Sequence, residues 1–478
     1  MKRMVAVLLT LLLTAVAATL PIVAQTPSQQ EAAASLSAVV NFYRSEVGYQ
    51  GAYLWKYSAD LSHQEGEGTA TKTSGWTQPP GAPSVGEAFL KAWRLSGKTE
   101  CLEAAVEVAH ALVRAQLKSG GWSSHFDLGA EGRRRYAYRV DGDEAGRDNR
   151  TTFDDNKTQS ALMLLMHVDE ALDFQDATIH EAVQFSLQHI LAAQYSNGAW
   201  PQQYDTPAAP EASPPIRASY PETWSRTHPK QKYIGHYTFN DGNMSHIVDM
   251  LLEAGRIYHR DDWIQGARRT GEFMLLAQLP EPQPGWAQQY NAEMHPAWAR
   301  KFEPPAITGG EAQGVMRTLL TLYRFTGEKR FIQTLPQALA YYRRSLLPDG
   351  RLARFYELRT NRPLYFSRDY QLTYSDADMP THYAFKVGSG LDRIEAEYHE
   401  LSLLDSAPER PSHRVDRPVR LTKKVAERGA AVLMALDERA AWVESGHMKH
   451  QNDPLPIIDM RTFARNLETL AAFVGARD

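Results

Sequence analysis

The chain has a single cysteine, Cys101, among its 478 residues, so no intramolecular disulfide can form and stability has to come from packing. It has no CxxC, no HExxH and no phosphate-binding glycine loop, which leaves zinc and nucleotide chemistry without support. It also lacks positive charge: the net charge of −4 becomes −6 once Lys2 and Arg3 are set aside. Such a field attracts neither nucleic acid nor any other polyanion, so an anionic ligand must be held by local arginines. There is one long apolar run, residues 4–20, placed after Lys2 and Arg3 and before Pro21 and Ala24. That pattern reads as a secretory signal peptide over residues 1–24, too short and too near the terminus to make a good spanning helix. The expectation is a secreted or periplasmic protein, monomeric and with no membrane attachment after signal cleavage.

Strand alternation is scarce, and helical periods take its place. Apolar residues make up 43% of the chain, ample for a core. Paired helical patterns recur at 84–96 with 100–118, 156–172 with 179–195, 241–258 with 262–278, and 309–325 with 330–347. The first helix of a pair tends to end near a glycine, as at Gly97 and Gly327. The second tends to end in a glycine–aromatic loop: SGGWSSHF at 119–126, NGAWPQQY at 197–204, PGWAQQY at 284–290. Helical hairpins at a roughly fixed spacing are the signature of stacked repeats. Further patterns at 30–49, 391–404, 421–445 and 460–474 bring the number to about six pairs. The fold class is therefore all-α, an α/α toroid, closed or partly closed. We assign 25–410 to the toroid and 411–478 to a C-terminal helical extension packing on it.

In a toroid of hairpins the inner helices run parallel, so their N-termini collect at one end, and function should lie there. The segments opening them are SVGEAF (84–89), FDDNKT (153–158), FNDGNM (239–244) and GGEAQG (309–314), and each carries an acid. One acid in a first helical turn is explained by the helix dipole. Several on one rim make the oxygen-rich site that calcium prefers, and Asp154 and Asp241 are the best candidates, with Asp155 and Asn240 beside them. Residues 285–306, GWAQQYNAEMHPAWARKFEPPA, join two of the helical pairs and follow neither period. Pro304 and Pro305 bar a helix there, and Arg300 and Lys301 sit between Trp298 and Phe302.

The stretches NGAWPQQY, YTFNDGNM, GWAQQYN with WARKFEPPAI, and RLARFYELRTNRPLYFSRD at 351–369 resemble, in order, the motifs of the family-ten pectate lyases. The matches run from 154 to 369. The resemblance implies an α/α-toroid enzyme that cleaves polygalacturonate, an acidic polysaccharide, by calcium-assisted β-elimination. Carried over by position, it places Asp154, which would bind Ca2+ or position substrate, and Asp241 at the metal site, with Asp155 adjoining, and it makes Arg300 the base. It makes Arg354 and Arg368 ligands of uronate carboxylates. Lys157 and Arg362 are further cations able to meet substrate, and Trp200, Trp286 and Tyr290 are aromatics able to stack on sugar faces. This chain departs from the family where the usual IDNGAT reads FDDNKT, where a proline-rich insertion spans 206–232, and where 129–150 carries Arg133, Arg134 and Arg135.

The chemistry fits these residue types. Removing the C5 proton of a uronate builds charge on its carboxylate, and cations placed there act where the charge develops. Arginine meets a carboxylate bidentately, which lysine does not. The base is the difficult assignment, because a guanidinium is ordinarily protonated. Other readings stay open: a polyuronate-binding protein without turnover, and a glycoside hydrolase working through two carboxylates. The spacing Gln116-(x)3-Gly120-x-Trp122, repeated at Gln194, Gly198 and Trp200, also resembles the QW motif of triterpene cyclases, but no DxDD motif accompanies it.

Overall fold

The computed structural model describes residues 27–142, 145–206, 216–404, 419–449 and 453–477. The leader read over 1–24 lies outside the described residues, as does 207–215 of the insertion. Thirteen helices are described: α1 (Gln29–Phe42), α2 (Ala82–Ser96), α3 (Thr99–Arg114), α4 (Ala130–Arg135), α5 (Lys157–Ala171), α6 (Ala177–Ala192), α7 (Asn243–Tyr258), α8 (Asp261–Leu276), α9 (Glu311–Thr326), α10 (Leu335–Arg344), α11 (Leu391–Ser402), α12 (Lys423–Met434) and α13 (Met460–Val474). Their ends follow local rules. Gly97 (φ 71°) and Gly327 (φ 75°) stop α2 and α9 in the left-handed conformation. Asp176 caps α6 by accepting from the N–H groups of Thr178 and Ile179.

Packing sorts these helices into two layers. In the inner layer α13 lies on α2, α2 on α5, α5 on α7, α7 on α9, and α9 on α11. Outside it, α12 and α1 back α13, α3 backs α2, α6 backs α5, α8 backs α7, and α10 backs α11. The result is an α/α toroid whose inner packing runs continuously from α13 round to α11. The C-terminal segment supplies α12 and α13, and α13 buries Phe463, Leu467, Leu470 and Phe473 against its neighbours. Inner and outer helices of each pair alternate because their apolar stripes face the same interlayer core.

The helical pattern read over 421–445 is longer than the helix found there. α12 stops at Met434, because Asp437 turns the chain by accepting from the N–H groups of Arg439 and Ala441, and 444–446 pairs as a strand with 455–457.

A buried charge network ties three inner helices together. His167 of α5 is 3% exposed, and its two ring nitrogens meet Glu87 of α2 at 2.7 Å and Glu253 of α7 at 3.0 Å. Arg256 extends the network from Glu253 to Glu170. Burial opposes charging the imidazole, but Glu87 and Glu253 outweigh it and push its pKa up to about 9. A folded-state pKa raised above the unfolded value stabilises the fold fully below the unfolded value of about 6.5 and loses that contribution as pH rises through 9. The melting-temperature gap between the parent and His167→Gln should therefore be largest at pH 6 and shrink by pH 10. A gap independent of pH would show that the imidazole is neutral in the fold.

Candidate active site

One end of the toroid is built four times by the same device. A short strand before an inner helix pairs with a strand after the following outer helix: 74–76 with 125–127, 151–152 with 203–204, 237–238 with 289–290, and 306–308 with 355–357. In three of these copies a threonine ends the strand, and its hydroxyl accepts from the N–H two residues on: Thr152 from Asp154 (3.3 Å), Thr238 from Asn240 (3.0 Å), Thr308 from Gly310 (3.2 Å). The residue after that is Asp155, Asp241 or Glu311. Asp155 (φ 50°) and Asp241 (φ 51°) take the left-handed conformation, which aspartate tolerates better than most side chains. Repetition therefore puts an acid at the same point of three adjacent repeats. Glu87, read from the sequence as the fourth rim acid, lies a turn further along its helix and serves the His167 network instead.

Asp154, Asp155 and Asp241 form one cluster, each offering a carboxylate oxygen within 4.8 Å of the others. The three residues read from the sequence as metal ligands are thus brought together. Burial, then the charges of Asp155 and Asp154, push the Asp241 carboxyl up to about 7, although the residue keeps an exposed face toward the cleft. Asp155 is raised for the same reasons, burial first and Asp154 second. Three hard oxygen donors whose mutual repulsion is only partly relieved are a donor set suited to a divalent cation such as calcium.

The cluster is wired to Arg300. Asn240 donates to Asp241, Gln288 donates to Asn240 Oδ1 (2.7 Å) and to Glu303 Oε1 (2.7 Å), and Arg300 donates to Glu303 Oε1 (2.5 Å). Gln202 donates to Asp154 Oδ1 (3.0 Å). Burial pulls the Arg300 guanidinium down, but Glu303 outweighs it, so the group stays above its ordinary value. Arg300 packs over Phe302 (5.1 Å) and Tyr383 (5.5 Å), and the Tyr383 hydroxyl donates to Glu303. The insertion secures this loop: Trp298 donates to Ser225 O and His228 to Ala299 O.

Two cavities flank the acids. A cavity of about 180 Å3 is lined by Asp154, Gln202, Tyr233, His236, Arg300 and Glu303, among others. On the other side an open groove of about 560 Å3 is lined by Asp241, Glu311, Arg317 and Arg354. Arg354 meets Glu311 at 2.5 Å and lies over Tyr383 at 4.7 Å. Changing Arg354 to lysine keeps the charge and loses the fork. The Michaelis constant for an oligouronate should rise at least ~10-fold, as for loss of a charge-assisted contact; an unchanged value would remove Arg354 from the binding surface.

Several sequence-predicted roles need correction. Trp200 and Trp286 are 0% exposed, with indole N–H groups donating to Thr270 and to Met274 O, and Tyr290 is equally buried, donating to Ala277 O. They are wedges between hairpins and stack on no sugar. The glutamines of the same repeats staple consecutive outer helices: Gln116 donates to Ala182 O in α6, and Gln194 to Gly266 O in α8. Lys157 is 3% exposed and paired with two of the acids, so it is not open to substrate. Arg362 lies exposed over Tyr374, and Arg368 is 72% exposed and paired with Asp378; neither lines either cavity. The sequence reading passed over Gln202, Gln288, Glu303, Tyr383 and Arg317, and it placed Glu311 on the rim only as the acid of GGEAQG. The signal for the first two was present, since each stands two residues after a repeat tryptophan.

This end of a helical toroid carries acids at its centre and arginines on both flanks. Residues 116–352 match the model of a family described as pectic acid lyase, so the resemblance carried by the sequence motifs holds over this span. Among solved structures, the chain is similar to the family 10 polysaccharide lyase from Cellvibrio cellulosa, at 20% identity and TM-score 0.46, covering 69% of this chain and 98% of that one. A mutant of that enzyme in complex with trigalacturonic acid matches at the same identity and TM-score, with coverage of 67% and 96%. A family GH76 α-mannanase from Bacteroides thetaiotaomicron matches at 12% identity and TM-score 0.39, covering 92% and 95%. No curated protein matches. Among the described residues no helix is long and apolar enough to cross a membrane.

Proposed function

We propose that this chain is a polysaccharide lyase, exported by its leader and acting as a monomer, that cleaves polygalacturonate or a related polyuronate by calcium-assisted β-elimination. The observation that carries the reading is the continuous arrangement Asp154–Asp155–Asp241, Asn240, Gln288, Glu303, Arg300, with Arg354 across the groove. Asp154, Asp155 and Asp241 would hold calcium, which would supply positive charge to a uronate carboxylate where negative charge develops. Arg354 meets the same class of carboxylate with a planar fork. Arg300 takes the C5 proton, the C4–O bond breaks, and the departing oxygen collects a proton from water, leaving a 4,5-unsaturated uronide. Acceptance by Arg300 requires its guanidinium to be neutral, which Glu303 opposes; that opposition is the one feature favouring a polyuronate binder without turnover.

Mass spectrometry of digested oligogalacturonates separates the reactions. Elimination gives two fragments whose masses sum to that of the substrate, whereas hydrolysis adds one water. Fragments carrying the added water would replace the lyase by a glycoside hydrolase, and intact substrate would leave the binder.

A further inference from the structure

The second and third repeats turn into their inner helices with nearly the same backbone, φ 50° and 60° at Asp155 and Asn156 against 51° and 68° at Asp241 and Gly242. At the next position the third repeat has a neutral amide, Asn243, and the second has Lys157. The Lys157 side chain is 4% exposed, and its Nζ lies 3.1 Å from Asp154 Oδ2 and 3.4 Å from Asp155 Oδ2. Asn243, at the matching place beside Asp241, carries no charge.

We propose that Lys157 is a built-in counter-cation of the acid cluster, and that it holds the affinity of the cluster for a divalent cation low. The inference rests on reading the three aspartates as a cation site, and it concerns what this chain has added to that site. An ammonium whose side chain is 4% exposed and paired with two of the three carboxylates has little room to withdraw into solvent when a second cation arrives. It occupies one oxygen of each carboxylate, and Gln202 occupies the other oxygen of Asp154. A divalent ion is therefore offered fewer free oxygens, and it meets a like charge a few ångströms away. At that separation like charges repel, more strongly where solvent is excluded, and the repulsion doubles for a divalent ion. Lys157 also offsets the repulsion between Asp154 and Asp155 when no cation is bound, so the cluster stays formed without one.

The test is calcium titration by calorimetry, with calcium-dependent melting as a second readout, on the parent, Lys157→Met and Lys157→Gln. The parent should bind with a dissociation constant of roughly 0.1–1 mM, the range of extracellular calcium modules. Lys157→Met should bind at least ~10-fold more tightly and gain more melting temperature from calcium. A variant that folds only with calcium present supports the proposal too, since it then needs the counter-charge that lysine supplied. Equal affinities in parent and variants, abolished by Asp241→Asn, would overturn the role of Lys157 and leave the cation site standing. A parent constant below ~10 µM would do the same without any lysine variant. No calcium binding by parent or variants would overturn both readings together.

Discussion

Replacing Arg300 by alanine should lower turnover on polygalacturonate by at least ~10²-fold, the scale of losing a general base, while affinity for an oligogalacturonate changes much less. The variant removes the proposed proton acceptor and leaves Asp154, Asp155, Asp241 and Arg354 in place to hold cation and uronate. The loop itself should survive, since Trp298 and Phe302 are anchored in a separate aromatic cluster with Phe355, Tyr365 and Phe366. Arg300→Lys should be almost as poor, because a lysine head cannot reproduce the planar contacts over Phe302 and Tyr383. Glu303→Gln adds the sign of the effect. Glu303 holds the Arg300 guanidinium above its ordinary pKa, so its neutral replacement should move the rise of activity with pH to lower values. Steady-state kinetics over a pH series measures all three. Affinity falling in proportion to rate in Arg300→Ala would make Arg300 a carboxylate ligand and leave the base to be found elsewhere.

The second large effect concerns the cation. Asp154→Asn and Asp241→Asn each remove one charged donor from a cluster of three, so the calcium concentration giving half-maximal activity should rise at least ~10-fold in either variant. Stability should move the other way. The Asp241 carboxyl is raised to about 7, above the unfolded value near 4, so ionising it costs the cation-free fold stability at neutral and alkaline pH and nothing at pH 4. In chelator, Asp241→Asn should therefore melt no lower than the parent at pH 8. If both variants lose the folding transition while the parent needs no metal, these acids are structural residues of the helix starts.

The hairpins were legible because apolar residues recur at the helical period in both layers, and the edges of α2, α5, α7, α9 and α13 fall within a few residues of the patterns. The acid rim was legible for a topological reason: parallel inner helices put their N-termini at one end. Loops carry no period, so the sequence does not say which residue of NGAWPQQY faces the cleft. Trp200 turns inward to reach Thr270, and Gln202, two residues on, reaches Asp154. Aromatic size marked the wedge and missed the cavity-lining amide. Arg362 and Arg368 failed similarly. They lie near Arg354 in a motif string, but Arg362 sits at the turn of the hairpin 355–366 and Arg368 just beyond it, both exposed, while Arg354 stays beside Glu311. The contribution of 216–236 was hidden because the walls of a cavity are joined by tertiary contact alone, here through Ser225 and His228 to the Arg300 loop.

The most direct test of the central claim is incubation of the folded protein with polygalacturonate and calcium, following the ultraviolet absorbance of an unsaturated uronide across alkaline pH. Absorbance that grows with time, falls when calcium is chelated and is absent for Arg300→Ala is the predicted result. A flat trace at every pH, from protein with an intact melting transition, would contradict a lyase acting on pectate.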